Sequence, residues 1–257
     1  GSDRMESELF AAPESVHESK ELYPLIHEAS PRGNWRFGLS HRRFAIIDKS
    51  VAGHQPFVDL QTNNVIVFNG EIFNYIELRA ELEAEGHGPF RTLTDTEVAL
   101  VAYRAWGAKC FERFNGFWAI TIFDKSKRRL VFSRDRFGQK PLYFRRTGNA
   151  LFFSSEIRGL NGFKPFENLS LNRDAAMLYL LFDRRNTFEG SLYNEVDLFS
   201  AGHIGIFELD TDKWTEEPFW QYPEARWSED EISLEDAVEG FRVRFENAVK
   251  IRMRADV

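Results

Sequence analysis

The sequence predicts an α+β fold, and three observations predict it. Short apolar runs of strand type recur in pairs across polar turns, as at Phe117 to Phe123 followed by Leu130 to Ser133. A few longer stretches carry helix start signals and apolar positions at helical spacing. Phe is abundant, at 25 of 257 residues, which suits a sheet-rich core. With 43% hydrophobic and 28% charged residues the chain is globular. Its length suits one large domain, or one domain plus part of another.

Composition also excludes several classes. The net charge of -7 gives no electrostatic reason to expect nucleic acid. The positive cluster Lys125 to Arg129 sits between two strands and reads as a solvated hairpin tip. A single cysteine, Cys110, excludes an internal disulfide and a cysteine-rich metal site, and it fits a reducing, cytoplasmic setting. The six histidines are scattered with no His-x-x-x-His pair, so no metal is expected. No apolar run approaches the roughly 18 residues of a membrane span, and no signal peptide is visible. Gly1-Ser2 reads as a scar of tag removal, which would place the native start outside this sequence.

Gly1 to Arg32 reads as polar and irregular. Ser19 to Ala29 has Leu22, Leu25 and Ile26 on one side, as a short helix would, but Pro24 argues against it. Trp35 to Leu39 and Phe44 to Asp48 read as two strands, and Gly53 to Pro56 as a loop. Val65 to Phe68 is a buried strand that Asn69-Gly70 is expected to break, because that pair tolerates positive φ. A helix with Ile72, Tyr75, Ile76, Leu78 and Leu82 at helical spacings should then run to Gly86. A strand that delivers an amide side chain and an N–H to a helix entrance can make an oxyanion hole, and it is equally an ordinary strand–turn–helix joint.

Thr94-Asp95-Thr96-Glu97 reads as a capping box opening a helix that Gly107 ends. Cys110, Phe111 and Phe114 look like a short packed helix, with Cys110 a small hydrophobe. The hairpin from Phe117 to Ser133 is followed by the charged turn Arg134 to Pro141. A second hairpin, Leu142 to Phe144 with Ala150 to Phe153, comes next, then one helical turn from Glu156 to Leu160. Ala175 to Phe182 looks helical, and Phe199 to Phe207 and Lys213 to Phe219 contain further strands. Residues 1–220 are expected to form the main domain and 221–232 an acidic linker. Ser233 should cap a helix with the stripe Leu234, Val238, Phe241, Phe245 and Val249. Residues 233–257 then read as the first helix of a second domain that this chain does not contain.

The motifs accumulate in one order: His41-Arg42-Arg43-Phe44-Ala45-Ile46-Ile47-Asp48, Gly53-His54-Gln55-Pro56, Phe68-Asn69-Gly70-Glu71-Ile72-Phe73-Asn74-Tyr75, Thr94 to Glu97, Phe114-Asn115-Gly116, Arg134 to Gly138, Lys140 to Tyr143 and Phe153 to Ile157. Each is weak alone. As an ordered set from about Phe37 to Trp220, they resemble the glutaminase domain of glutamine-hydrolysing asparagine synthetases, a class II amidotransferase with an N-terminal nucleophile. The resemblance implies a four-layer sandwich of N-terminal-nucleophile type, two antiparallel sheets between helical layers. It implies that the Asn69 side chain and the Gly70 N–H form the oxyanion hole. It implies that Arg43 grips the α-carboxylate of glutamine, for which a guanidinium fork suits a planar anion. Phe44, Ala45, Ile46 and Ile47 would line the amino-acid pocket, and Glu71 and Asp95 would receive the α-ammonium group. From the residues alone, Arg43 is equally a strand-end surface charge and Asp95 a helix N-terminal residue. The turn Arg134 to Gly138 is taken as structural.

In that family the mature chain begins with a cysteine whose α-amino group is the general base and whose thiolate attacks the glutamine amide. Here residue 1 is Gly, and no cysteine lies near it. Two explanations stand: the encoded protein begins with the cysteine segment and this sequence lacks it, or the lineage kept the domain as a scaffold. The resemblance further implies ATP and Mg²⁺ only in a synthetase domain, present in cis or trans, with no cofactor in this chain. Glutamine is the expected partner, with a homodimer by resemblance and neither nucleic acid nor membrane. The other readings are a glutamine-binding or scaffolding module and, less well supported, a proteolytic N-terminal-nucleophile hydrolase.

Overall fold

The computed structural model describes residues 7–11, 35–43, 46–48, 50–147, 150–160, 168–182, 190–224 and 231–255. The helix expectation for Ser19 to Ala29 lies outside the described residues, as do half of the linker and the tip of the second hairpin. The chain divides into two compact units. One comprises Gly1–Val67, Ile72–Asn115 and Gln221–Val257, the other Phe68–Glu71 and Gly116–Trp220.

The class is α+β, with two antiparallel sheets and helices, as the resemblance implies. The larger sheet contains β3 (Phe57–Val58), β4 (Val65–Ile72), β5 (Gly116–Asp124), β6 (Arg129–Arg134), β10 (His203–Glu208) and β11 (Lys213–Pro218), in the order β11-β10-β6-β5-β4-β3. The smaller contains β7 (Tyr143–Thr147), β8 (Ala150–Ser154) and β9 (Asp197–Leu198), in the order β8-β7-β9. A separate parallel pair, β1 (Ser7–Ala11) with β2 (Trp35–Ser40), corrects the expectation that the first 32 residues are irregular. Parallel pairing is non-local, and no short-range pattern announces it.

The second unit holds an aromatic core between its sheets. Phe132 of β6 meets Phe153 of β8 edge-on at 5.0 Å between centroids, and Phe144 of β7 stacks on Trp214 of β11 at 5.7 Å. Trp118 is fully buried, and its indole N–H donates to Ser133 Oγ at 3.0 Å, so the one polar atom of a large side chain is satisfied. Asp135 accepts backbone N–H groups from Trp118, Phe137, Gln139 and Lys140 at 3.0–3.2 Å, which fixes the charged turn after β6.

The first unit contains α1 (Tyr75–Ala84), α2 (Asp95–Trp106), α3 (Cys110–Arg113) and α5 (Leu234–Arg252); α4 (Arg173–Phe182) belongs to the second. Every residue of α2 from Asp95 to Tyr103 is buried, so it is a central helix and not a surface one. Thr94 caps it by accepting from the Glu97 N–H at 3.2 Å. The reciprocal half of the expected capping box is missing. Glu97 turns its carboxylate to the N–H groups of Arg91 and Thr92, at 2.9 and 2.6 Å, because the chain preceding the cap loops back over it. Ser233 caps α5 as expected, and the stripe Leu234, Val238, Phe241, Phe245 and Val249 is exposed along its length. Among the described residues the end of α5 is the anchored part: Ile251 is buried, and Arg254 reaches the Phe73 carbonyl at 2.7 Å and the Glu77 carboxylate. No described helix is long and apolar enough to cross a membrane.

Candidate functional site

Asn69-Gly70 does not end the strand. β4 continues to Ile72, a two-residue bend follows, and α1 begins at Tyr75. The reason is the neighbouring strand. A Cβ on Gly70 would overlap the Phe117 carbonyl oxygen and stand 2.7 Å from Trp118 Cα. Only glycine permits that approach, and its φ of 150° is closed to other residues. The backbone at Gly70 is therefore held against β5 in a conformation that no ordinary strand residue adopts. Asn69 beside it is half-buried.

Glu71, next along the strand, is buried, and its Oε1 makes no hydrogen bond among the described residues. Burial raises its carboxyl above the usual carboxylate range, and the charge of Lys140 works against that rise. A buried carboxylate oxygen without a donor is the kind of exception that a bound group explains. Asp95, in the first unit, is buried at the start of α2. Its Oδ2 accepts the Ile72 N–H at 3.0 Å, so it serves as a helix N-terminal acid and also ties that helix to the end of β4.

The expected strand Phe44 to Asp48 is not one over its described part, because Ile46 to Asp48 is irregular and collects around Arg43. Phe44 and Ala45 lie outside the described residues; Ile46 is half-buried and Ile47 buried. The Arg43 guanidinium donates to the carbonyls of Ser50 at 2.7 Å, of Ile47 at 3.0 Å and of Asp48. A short 3₁₀ turn, Val51–Gly53, follows. A Cβ on Gly53 would stand 2.6 Å from both Arg43 Cζ and Thr94 Cγ2, so Arg43 and Thr94 flank the same glycine.

Two histidines adjoin this loop, His41 and His54, which lie inside the ordered motifs although residue type assigns them no role. Burial, the charge of Arg43 and then that of His54 push the His41 pKa down to about 4. His54 is shifted down by burial and by Arg43. A neutral imidazole pair beside a cation leaves Arg43 as the positive charge at neutral pH. The first unit thus gathers Arg43, Ile46, Ile47 and Asp95, and the second carries Asn69, Gly70 and Glu71. Asp48 and Gly53, beside Arg43, had no role expected of them, and Thr94, expected as a helix cap, also flanks Gly53 opposite Arg43. Asp48 and Gly53 lie inside motif segments, but the roles they play are backbone ones that residue type does not reveal.

Cys110 is fully buried on α3, and burial pushes its thiol well up, so it packs as a small apolar side chain. Among the described residues no group of three or more His, Cys, Asp or Glu side chains is placed to hold a metal ion.

Residues 30–220 match the family described as the glutamine amidotransferase domain. A Methanocaldococcus jannaschii protein provisionally named asparagine synthetase (glutamine-hydrolyzing) 2 is 37% identical over 87% of this chain and 45% of its own length. Amidase chry2 of Gibberella zeae is 31% identical over 96% of this chain and 36% of its own. The glutamine phosphoribosylpyrophosphate amidotransferase of B. subtilis, solved with ADP and GMP, aligns with a TM-score of 0.48 at 19% identity, over 71% of this chain and 34% of that one. The chain spans less than half the length of the relatives it matches.

Proposed function

We propose that this chain, which belongs to the glutamine amidotransferase domain family, is the glutaminase half of an ATP-dependent amidotransferase of asparagine-synthetase type, supplying ammonia from glutamine to an activated carboxylate. One observation carries the reading. Arg43 flanks the same glycine as Thr94, and the buried carboxylate of Asp95 follows Thr94 directly. A guanidinium and a carboxylate on adjoining segments answer the two charges of an α-amino acid. Arg43 would take the α-carboxylate. Within the first unit Asp95 would take the ammonium; the roles carried over by resemblance to the second unit are an ammonium acceptor at Glu71 and an oxyanion hole of Asn69 with the Gly70 N–H. The names of the relatives support amide chemistry. The acceptor half would hold ATP and Mg²⁺ in a synthetase domain in cis or trans.

The attacking thiolate is not Cys110, whose thiol is buried and protonated. This chain is therefore expected to bind glutamine without releasing glutamate, and release that survives Cys110→Ala overturns that expectation. A second reading, a scaffold that no longer takes glutamine, is favoured by one observation: three backbone carbonyls already engage the Arg43 guanidinium. Calorimetric titration separates the two. Binding that weakens at least tenfold in Arg43→Ala supports the glutamine pocket, while no heat at millimolar glutamine with the unaltered chain refutes it.

A further inference from the structure

We propose that Asp48 is a positioning residue for Arg43, setting the plane in which its guanidinium meets a ligand carboxylate. The inference rests on the reading of Arg43 given above and goes beyond it to a residue which that reading leaves unassigned.

Asp48 engages three parts of the loop at once. Its backbone carbonyl accepts from Arg43 Nη2. Its Oδ1 accepts the Ser50 N–H at 3.0 Å, which closes the loop whose Ile47 and Ser50 carbonyls complete the hold on the guanidinium. Its Oδ2 accepts the Leu93 N–H at 3.2 Å, which joins that loop to the residue before the Thr94 cap, two positions from Asp95. The groups proposed to grip the two ends of an amino acid are thus tied together through one side chain.

The backbone of Asp48 supports the same assignment. Its φ is 51°, in the left-handed region that non-glycine residues seldom occupy and that Asp tolerates better than most. This conformation turns the carbonyl toward Arg43 while the carboxylate reaches Ser50 and Leu93. Strained backbone of this kind persists where surrounding contacts over-determine it. Burial disfavours the Asp48 anion, but the hydrogen bonds from Ser50 and Leu93 and the charge of Arg43 outweigh burial and hold its carboxyl below the usual value. The wall opposite is Gly53, where any side chain would displace the guanidinium. A long, flexible arginine gains most from such a frame, because ordering it beforehand removes an entropic cost from binding.

The test is a double-mutant cycle on this chain, read by calorimetry with two probes: glutamine, and 4-aminobutanamide, which is glutamine without its α-carboxylate. Asp48→Gly removes the carboxylate and keeps the left-handed backbone available; Asp48→Ala removes both. Each is expected to weaken glutamine about tenfold, to leave 4-aminobutanamide unchanged, and to have no further effect in Arg43→Ala. Equal losses for both probes, or an undiminished loss in the Arg43→Ala background, overturn the proposal. A second measurement keeps it decidable if the unaltered chain binds no glutamine, an outcome that refutes the glutamine reading alone. In NMR spectra of the folded Asp48→Gly protein, the Arg43 guanidinium and Leu93 amide signals should both move and exchange faster with solvent. Unchanged Arg43 signals overturn the positioning role.

Discussion

Lowering the pH from 7 to 5 should destabilise this protein specifically through His41. In the folded state its pKa is held down to about 4, by burial first, then by Arg43 and His54, while the unfolded chain titrates it near 6.5. Well above pH 6.5 both states carry a neutral imidazole, and His41 contributes no pH dependence. As the pH falls below 6.5 the unfolded state takes up the proton and the folded state refuses it, so stability is lost progressively until about pH 4. For an isolated shift of that size the loss by pH 5 is roughly 2 kcal/mol; His41 keeps some contact with water, so about 1–2 kcal/mol is expected. The assay is urea unfolding of the natural sequence and of His41→Gln at half-unit steps from pH 7 to 5. The variant stays neutral throughout, so the difference between the two curves isolates this group from the carboxylates. The variant should gain about 1–2 kcal/mol relative to the natural sequence over that range. Parallel curves would show instead that His41 is either solvated or protonated in the fold. A carboxylate seated on Arg43 would relieve part of the opposing charge, so glutamine binding at pH 5 should also take up a fraction of a proton, visible as a buffer-dependent heat.

Gly70→Ala should cost about 3 kcal/mol or more, since it adds positive-φ strain to an overlap with the Phe117 backbone that cannot be relieved by a rotamer change; a loss under 1 kcal/mol in urea melts would show that β4 can shift. Glu71→Gln should stabilise the fold by about 1 kcal/mol at pH 7. A carboxyl whose folded pKa is raised costs stability as the pH climbs through it, so the gain should vanish at low pH, and the same variant should weaken glutamine. Cys110→Ala should cost about 1–2 kcal/mol from the small void and leave glutamine affinity unchanged; thiol reagents should label Cys110 only on unfolding. In α5, replacing both Phe241 and Phe245 by Ser removes an exposed stacked pair, so light scattering should fall while unfolding stability moves by no more than about 0.5 kcal/mol.

The parts of this fold that were legible in the sequence are those decided by neighbours a few residues away. The β5–β6 hairpin follows from two apolar runs with four polar residues between them, and the structure pairs Asp124 with Arg129 across that turn. Thr94 and Ser233 cap α2 and α5 because a side-chain oxygen needs only the N–H groups of the next turn. Asn69-Gly70 shows where this logic stops. By local chemistry the pair is a turn, and only a strand arriving from 47 residues further along, at Phe117, makes the glycine a point of close packing instead. Glu97 is a second case. Its spacing from Thr94 satisfies the capping-box pattern, yet the N–H groups of Arg91 and Thr92 offer it more donors, and local spacing cannot rank that competition.

The candidate site is harder to read for the same physical reason. Arg43 as a strand-end charge and Asp95 as a first-turn acid would both have adequate structural roles, so residue type alone cannot raise them above the ordinary; the ordered run of motifs marks them. The structure shows that the two roles coexist. Asp95 holds the Ile72 N–H while lying buried beside the Thr94 cap, and Arg43 braces its own loop while facing Gly53. A charge that also supports its surroundings is already desolvated and oriented, which is the condition under which it can bind a ligand group strongly. Asp48 extends the same principle by one residue. Its side chain has no claim on a ligand, its backbone conformation is invisible to sequence patterns, and it links the two segments on which an amino acid would be held.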